Sequence, residues 1–181
     1  MKYIDLHKDR WHPLGGEDGP PVSIQPVPYL LLDLAQWHAV RAHWPDGVPV
    51  GLKLANTDEV EAVAADLPRF VLVALHFPKW TDGRAYSQAR LLRSRYRFGG
   101  EVRATGEVLV DMVPLLARTG VDAVVLRPDQ SIDAAERALS FFPGHYQGDT
   151  ADNRPLFAKP AGTAELLAKK ATEFVQGGAS I

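Results

Sequence analysis

The chain has 181 residues, 46% of them apolar, enough for one domain with a substantial core. A formal net charge of −2 offers no global basic excess, which argues against nucleic acid or an anionic membrane surface as partner. The absence of cysteine excludes disulfides, thiolate nucleophiles and cysteine-held iron–sulfur clusters, and it fits a reducing, cytoplasmic setting. The opening MKYIDLHKDRWHP is charged and lacks the apolar stretch of a secretory signal. No apolar run approaches the length of a membrane span.

Residues 1–28 read as an irregular leader rich in Gly and Pro, in which Tyr3, Ile4 and Leu6 can add a short edge strand. Residues 29–181 read as a single α/β domain. YLLLDLAQWHAVRAHW starts apolar and turns helical, with Leu34, Trp37, Val40, Arg41 and Trp44 three or four apart. VPVGLKLA (48–55) has the pattern of a strand. Asn56 or Thr57 can then cap a helix over DEVEAVAADL, whose early acids suit the helix dipole. FVLVALH (70–76) is a near-continuous apolar strand of the kind covered on both faces. SQARLLRSRYR reads as helix and EVRATGEV as a shorter strand.

LVDMVPLLARTG reads as a helix with Pro114 in its first turn or at a kink, and Gly120 ends it. VDAVVLRP is another strand, Ser131 caps the helix SIDAAERALSFF, and a polar loop leads to a last helix over 161–176. About four strand–helix units in succession predict a parallel α/β sheet. Two architectures satisfy that pattern: an open doubly wound sheet, or half of a (βα)8-type barrel.

Both architectures place ligands at the carboxyl ends of the strands, so HFPKWTDGRAYS marks the expected site. The segment 77–95 concentrates five of the chain's twenty Lys and Arg residues. Asp82-Gly83 is a turn signal, with Gly83 free to take positive φ. Lys79, Arg84 and Ser87 sit where a helix begins and can hold a small oxyanion, with Arg90 and Arg103 as further cations. Arg90, Arg93 and Arg97 would form a basic stripe on the same helix.

Arg103 on a buried strand needs a carboxylate or a ligand, and Glu107 and Asp111 are the nearest acids in sequence. His76, at the strand end, is the candidate acid or base, with Asp82 orienting cations and Tyr86 a second proton carrier. The histidine pairs His7/His12 and His38/His43 are five apart, outside the spacing of helical metal ligands, so no metal is assigned. No nucleotide or flavin fingerprint occurs, and any cofactor is unknown.

The residues FPKWTDGRAYSQARLLRSRYRFGGEVRATGEVLVDMVPLLARTGVDAVVL resemble a bacterial family filed as domain of unknown function nine-three-four. Phe77, Pro78, Lys79, Asp82, Gly83, Arg84, Tyr86, Ser87, Ala89, Arg90, Leu92 and Arg93 match its first segment. Gly100, Glu101, Arg103, Ala104, Gly106, Val108 and Asp111 match the second, and Arg118, Gly120 and Asp122 the third. Tyr146-Gln147 and Pro155-Leu156-Phe157 resemble its C-terminal pattern. Trp80, Met112 and Thr119 depart from it, Thr119 standing where Cys is usual. Family members carry the label of probable oxidoreductases of sulfite reduction, from genes lying beside assimilatory sulfite reductase.

The resemblance implies an accessory protein or small enzyme of sulfate and sulfite reduction, here expected to bind an oxyanion at the strand rim. Two alternatives stand beside it. One is a non-enzymatic docking partner of sulfite reductase, with the basic helix face meeting an acidic protein. The other is a barrel-like enzyme acting on a phosphorylated or carboxylated metabolite, closed by a homodimer.

Overall fold

A computed structural model describes residues 1–15, 23–141, 145–160, 162–163 and 165–167. Its strands are β1 (Lys2–Tyr3), β2 (His12–Pro13), β3 (Leu30–Asp33), β4 (Val50–Leu54), β5 (Phe70–Phe77), β6 (Glu101–Gly106) and β7 (Ala123–Val124). Helices α1 (Leu34–Val40), α2 (Arg84–Arg90), α3 (Val113–Thr119) and α4 (Ile132–Ser140) stand between or after them. The sheet has seven strands in the order β1-β7-β6-β5-β4-β3-β2, and every pair is parallel.

From β2 to β7 each strand lies beside its successor, so the winding never reverses. A doubly wound sheet requires a reversal, and its absence makes this the half-barrel alternative. The strand count exceeds the expected four. The run Leu30–Asp33 is a strand of its own, hidden in the sequence because it flows into α1 without a break. Asp33 ends that strand and caps the helix, accepting from the Gln36 N–H while Gln36 returns a bond to the Asp33 N–H.

The chain between β1 and β2 shows why the sheet must curl. Those strands occupy opposite edges, which in a flat seven-stranded sheet would stand roughly 29 Å apart. Only the segment from Ile4 to Trp11 joins them, and it folds into a turn closed by the Lys8 N–H on the Asp5 carbonyl at 3.0 Å. A turned segment of that length falls well short of such a span. The edges therefore approach each other, and the connecting segment crosses the inner face.

The two faces of the sheet are distinct. Leu52, Leu54, Val73, Leu75, Phe77, Val102 and Ala104 point toward the helices and share one core with Ala85, Ala89, Leu92 and Leu116. The alternate positions, Gly51, Leu72, Ala74 and Arg103, face inward under the leader, and all are buried. Trp11 lies on Gly51 so closely that a Cβ there would stand 2.9 Å from the indole. Trp37 and Trp44, together with Phe70, form an aromatic cluster on the helix side. Trp11, Trp37 and Trp44 are each buried.

Other expectations meet mixed outcomes. Pro114 sits in the first turn of α3, Gly120 ends that helix at φ 95, and the Ser131 hydroxyl caps α4 by accepting from the Ala134 N–H. The helix expected after Asn56 is instead two 3-10 turns, Val60–Val63 and Leu67–Arg69. Gln88 donates to the Ala55 and Asp58 carbonyls at 2.8 Å each, which anchors the start of that segment to α2. The strand expected over 121–128 shortens to β7. The helix expected over 161–176 falls largely outside the described residues. Among the described residues, no helix is long and apolar enough to cross a membrane.

Candidate functional site

Parallel pairing brings Asp33, Leu54, Phe77 and Gly106, the last residues of four strands, to one rim. At that rim three inward positions carry chemistry. Lys53 of β4 pairs in register with Ala74, and His76, one inward position further along β5, pairs with Thr105 of β6. Lys53 is exposed and has no carboxylate partner among the described residues. His76 is half-buried, and no hydrogen bond reaches its ring nitrogens from the described residues. Burial, then the nearby Lys53 charge, hold the His76 pKa below its ordinary value, so the imidazole is uncharged at neutral pH.

Gly106 shapes this corner. It takes φ 92, and a Cβ there would collide with the Phe77 carbonyl and stand 2.9 Å from the His76 ring. Only glycine lets the chain turn off β6 while the imidazole lies against it. Just beyond, Arg127 is held by Glu107 at 3.0 Å and by Asp129 at 2.5 Å, which fixes the loops after β6 and β7.

The residues singled out from the sequence do not assemble into one cluster. His76 faces inward at the rim. Tyr86 lies on the helix side, edge-on to Phe77 at 5.2 Å, and burial raises its hydroxyl pKa. Lys79 is exposed beside Trp80, itself 58% exposed. Arg84 is clamped by Asp82 through bonds of 3.0 and 2.6 Å, and Asp82 also accepts from Asn56 at 2.6 Å. Gly83 keeps φ −85 instead of a positive value, because the Asp82 carboxylate closes the turn by accepting the Arg84 N–H at 3.2 Å. Ser87 lines a shallow groove with Arg84 and Asn56.

Arg103 sits inside the curl, 4% exposed, where it is bound to Asp9 and, at 2.7 Å, to Glu101. The acids expected to serve it, Glu107 and Asp111, lie elsewhere: Glu107 holds Arg127, and Asp111 is exposed at the start of α3. The expected basic stripe is also broken up. After α2 the helix widens into a π turn, Leu91–Arg95, and Arg93 turns inward onto the Phe98, Gly100 and Gly120 carbonyls and Asp122. Arg90 lines a separate cavity between α2 and α3.

Lys53 and Asp9 are the participants that the sequence reading passed over. Lys53 had a signal, a lone charge inside the apolar strand VGLKL. Asp9 had none, since its partner lies 94 residues away.

Asp82 offers a local test of this geometry. Hydrogen bonds from Arg84 come first in holding its pKa down to about 2, below the usual 3.8. Its favourable contribution is therefore complete above the unfolded value and is lost only as pH falls through about 2. A carbon-detected titration should show Asp82 still ionised well below its ordinary value of 3.8, and Arg84→Ala should raise it toward that value.

A comparison with curated proteins returned no match. A family model described as bacterial protein of unknown function (DUF934) matches residues 51–157, the span from β4 through the segment after α4. That span covers more than half of the chain and includes Lys53, His76, Arg84 and Arg103, and by it the chain belongs to this family.

Proposed function

We propose that this protein binds a small oxyanion at the carboxyl rim of the half-barrel and serves sulfite reduction as an accessory protein or small enzyme. The observation that carries the reading is the nearness, on the inner face of adjacent strands, of Lys53 and His76, which have no carboxylate and no hydrogen-bond partner respectively among the described residues. Most other cations near the rim already hold carboxylates, Arg84 and Arg127 among them. An anion seated between Lys53 and His76 would gain a charge-assisted bond from the ammonium and a donor from the imidazole. The link to sulfur chemistry rests on the family resemblance and stands or falls separately from the anion site.

The pH dependence has a definite sign. His76 is uncharged at neutral pH, and a bound anion favours its protonated form, so binding should take up a proton and tighten as pH falls. Sulfate is the clean probe, because its own charge is constant through this range. Calorimetry with sulfate, sulfite and phosphate should give heats that grow toward lower pH. Lys53→Ala should weaken binding roughly tenfold or more, the loss expected for one charged hydrogen bond, and His76→Ala should remove the pH dependence. Affinity unchanged in both variants would sink the rim site. Binding of phosphate and sulfate without any preference for sulfite would leave the site and remove the sulfur assignment.

A further inference from the structure

The helix side of the sheet holds a second concentration of positive charge, distant in kind from the rim. A cavity of about 540 Å3 opens between the end of α2 and α3 and is closed by the segment 147–153. Arg90 enters it from α2 and Arg118 from α3. Neither guanidinium meets a carboxylate or a carbonyl among the described residues, unlike Arg84, Arg93, Arg103 and Arg127. The Arg118 Nε–H is shut off from solvent and has no acceptor among the described residues. Buried donors are almost always satisfied, so an orphaned guanidinium N–H lining a cavity marks a missing partner.

The charge balance of the cavity says what that partner is. One acid lies on the wall, Asp149, and its Oδ1 already accepts from the Ala151 and Asp152 N–H groups at 2.9 and 2.8 Å. Two guanidinium groups thus face the space against a single carboxylate, a net excess of one positive charge, and their planar forks suit an acceptor with several oxygens. The volume is that of a metabolite pocket and is much larger than a bare tetrahedral ion. Ser94, Gln147 and Asn153 supply neutral polar groups for the rest of such a molecule. Arg118 and Gln147 also line a neighbouring hollow with His145 and Tyr146, so the space does not end abruptly at the guanidinium.

We propose that the Arg90–Arg118 cavity is a binding site for a dianionic organic phosphate monoester of a small polar molecule. A phosphate monoester presents three terminal oxygens and close to two negative charges at neutral pH, enough to bond both guanidinium groups at once. The site is separate from the rim: it lies among the helices, and none of its lining residues is on the inner face.

The test uses the full chain, with glycerol 3-phosphate and inorganic phosphate as probes. Nitrogen–proton spectra of the arginine Nε–H groups report on the unmodified protein, so the result does not depend on a variant folding. Glycerol 3-phosphate should shift the Arg118 Nε–H resonance, and calorimetry should show it binding more tightly than inorganic phosphate. Arg90→Gln and Arg118→Gln should each weaken it roughly ten- to hundredfold. Lys53→Ala, at the rim, should leave it unchanged. An unmoved Arg118 signal, or affinity that survives Arg118→Gln, would overturn the site. Equal affinity for the two probes would overturn the monoester assignment. Absence of sulfate binding at the rim of the parent protein, with glycerol 3-phosphate binding present, would support this site while removing the other.

Discussion

Replacing Arg103 by methionine is expected to lower the unfolding midpoint by roughly 6–20 °C, the largest effect of any single change considered. Arg103 is 4% exposed and holds two carboxylates, Asp9 from the leader and Glu101 from its own strand. Methionine fills similar space and leaves both acids facing a buried gap. Breaking a buried pair by removing one partner costs about 3–5 kcal/mol, and each kcal/mol moves the midpoint of a chain this size by roughly 2–4 °C.

The acids also supply a check on mechanism. Burial pushes the Glu101 pKa up, but hydrogen bonds from Arg103 and then Lys2 bring it net below its ordinary value. In the parent, that contribution is present above the unfolded pKa and is lost as pH falls through the folded one. Without Arg103, burial is opposed only by Lys2, so a Glu101 pKa raised above its unfolded value should cost the variant stability at neutral pH, and that cost should ease as pH falls. Adding Asp9→Leu to Arg103→Met should recover part of the stability, because an apolar replacement of the pair removes the stranded charge. Calorimetric scans across pH test both statements. A single variant as stable as the parent would mean that Asp9 leaves the inner face freely and that the leader is no plug.

The second large effect is expected at Gly106. Alanine there must hold φ 92 and meets the Phe77 carbonyl, an atom that cannot move without disturbing the bond it accepts from the Glu107 N–H at 2.8 Å. Backbone strain and overpacking together cost about 3 kcal/mol. The same Cβ would push on the His76 ring from 2.9 Å, so sulfate binding at the rim should weaken even in the fraction that stays folded. Gly99 is the matched control. Nothing lies within 4 Å of a Cβ there, and its φ is not positive, so Gly99→Ala should stay within about 0.5 kcal/mol of the parent. Urea unfolding gives the stability, and the His76 ring proton shifts report the displacement.

The apolar strands were legible because each is a run that water would penalise if exposed. Phe70–Phe77 announced itself that way, and its eight residues form the longest strand among the described residues. Leu30–Leu32 is equally apolar but is hidden, because the one polar residue between it and α1, Asp33, both ends the strand and caps the helix. Residues 58–67 carry helical spacing, with Val60, Val63 and Leu67 buried, yet they form 3-10 turns. Spacing by three and four fits both kinds of helix, so it does not by itself choose between them, and Gln88, outside the segment, ties down the Asp58 carbonyl at its start.

The rim was foreseeable from position alone, since parallel α/β folds collect their ligand-facing groups at strand carboxyl ends. His76 is legible for that reason. The arginines were not assignable in the same way. Each has a long side chain that reaches several neighbours, and sequence spacing says nothing about which acid waits across the fold. Arg84 found Asp82 two residues away, whereas Arg103 found Asp9 ninety-four residues away.

By itself the sequence determined the parallel α/β class, the family, the local caps and the concentration of charge where β5 hands over to α2. These follow from hydrophobic period, turn chemistry and near-neighbour hydrogen bonds, which act within a few residues. Only the tertiary structure decided between a doubly wound sheet and a half-barrel, filled the inner face with Asp9 and Trp11, and sorted neutralised cations from those left open. Those outcomes depend on the order of strands in space and on which charges become buried together, and contacts between distant parts of the chain set both.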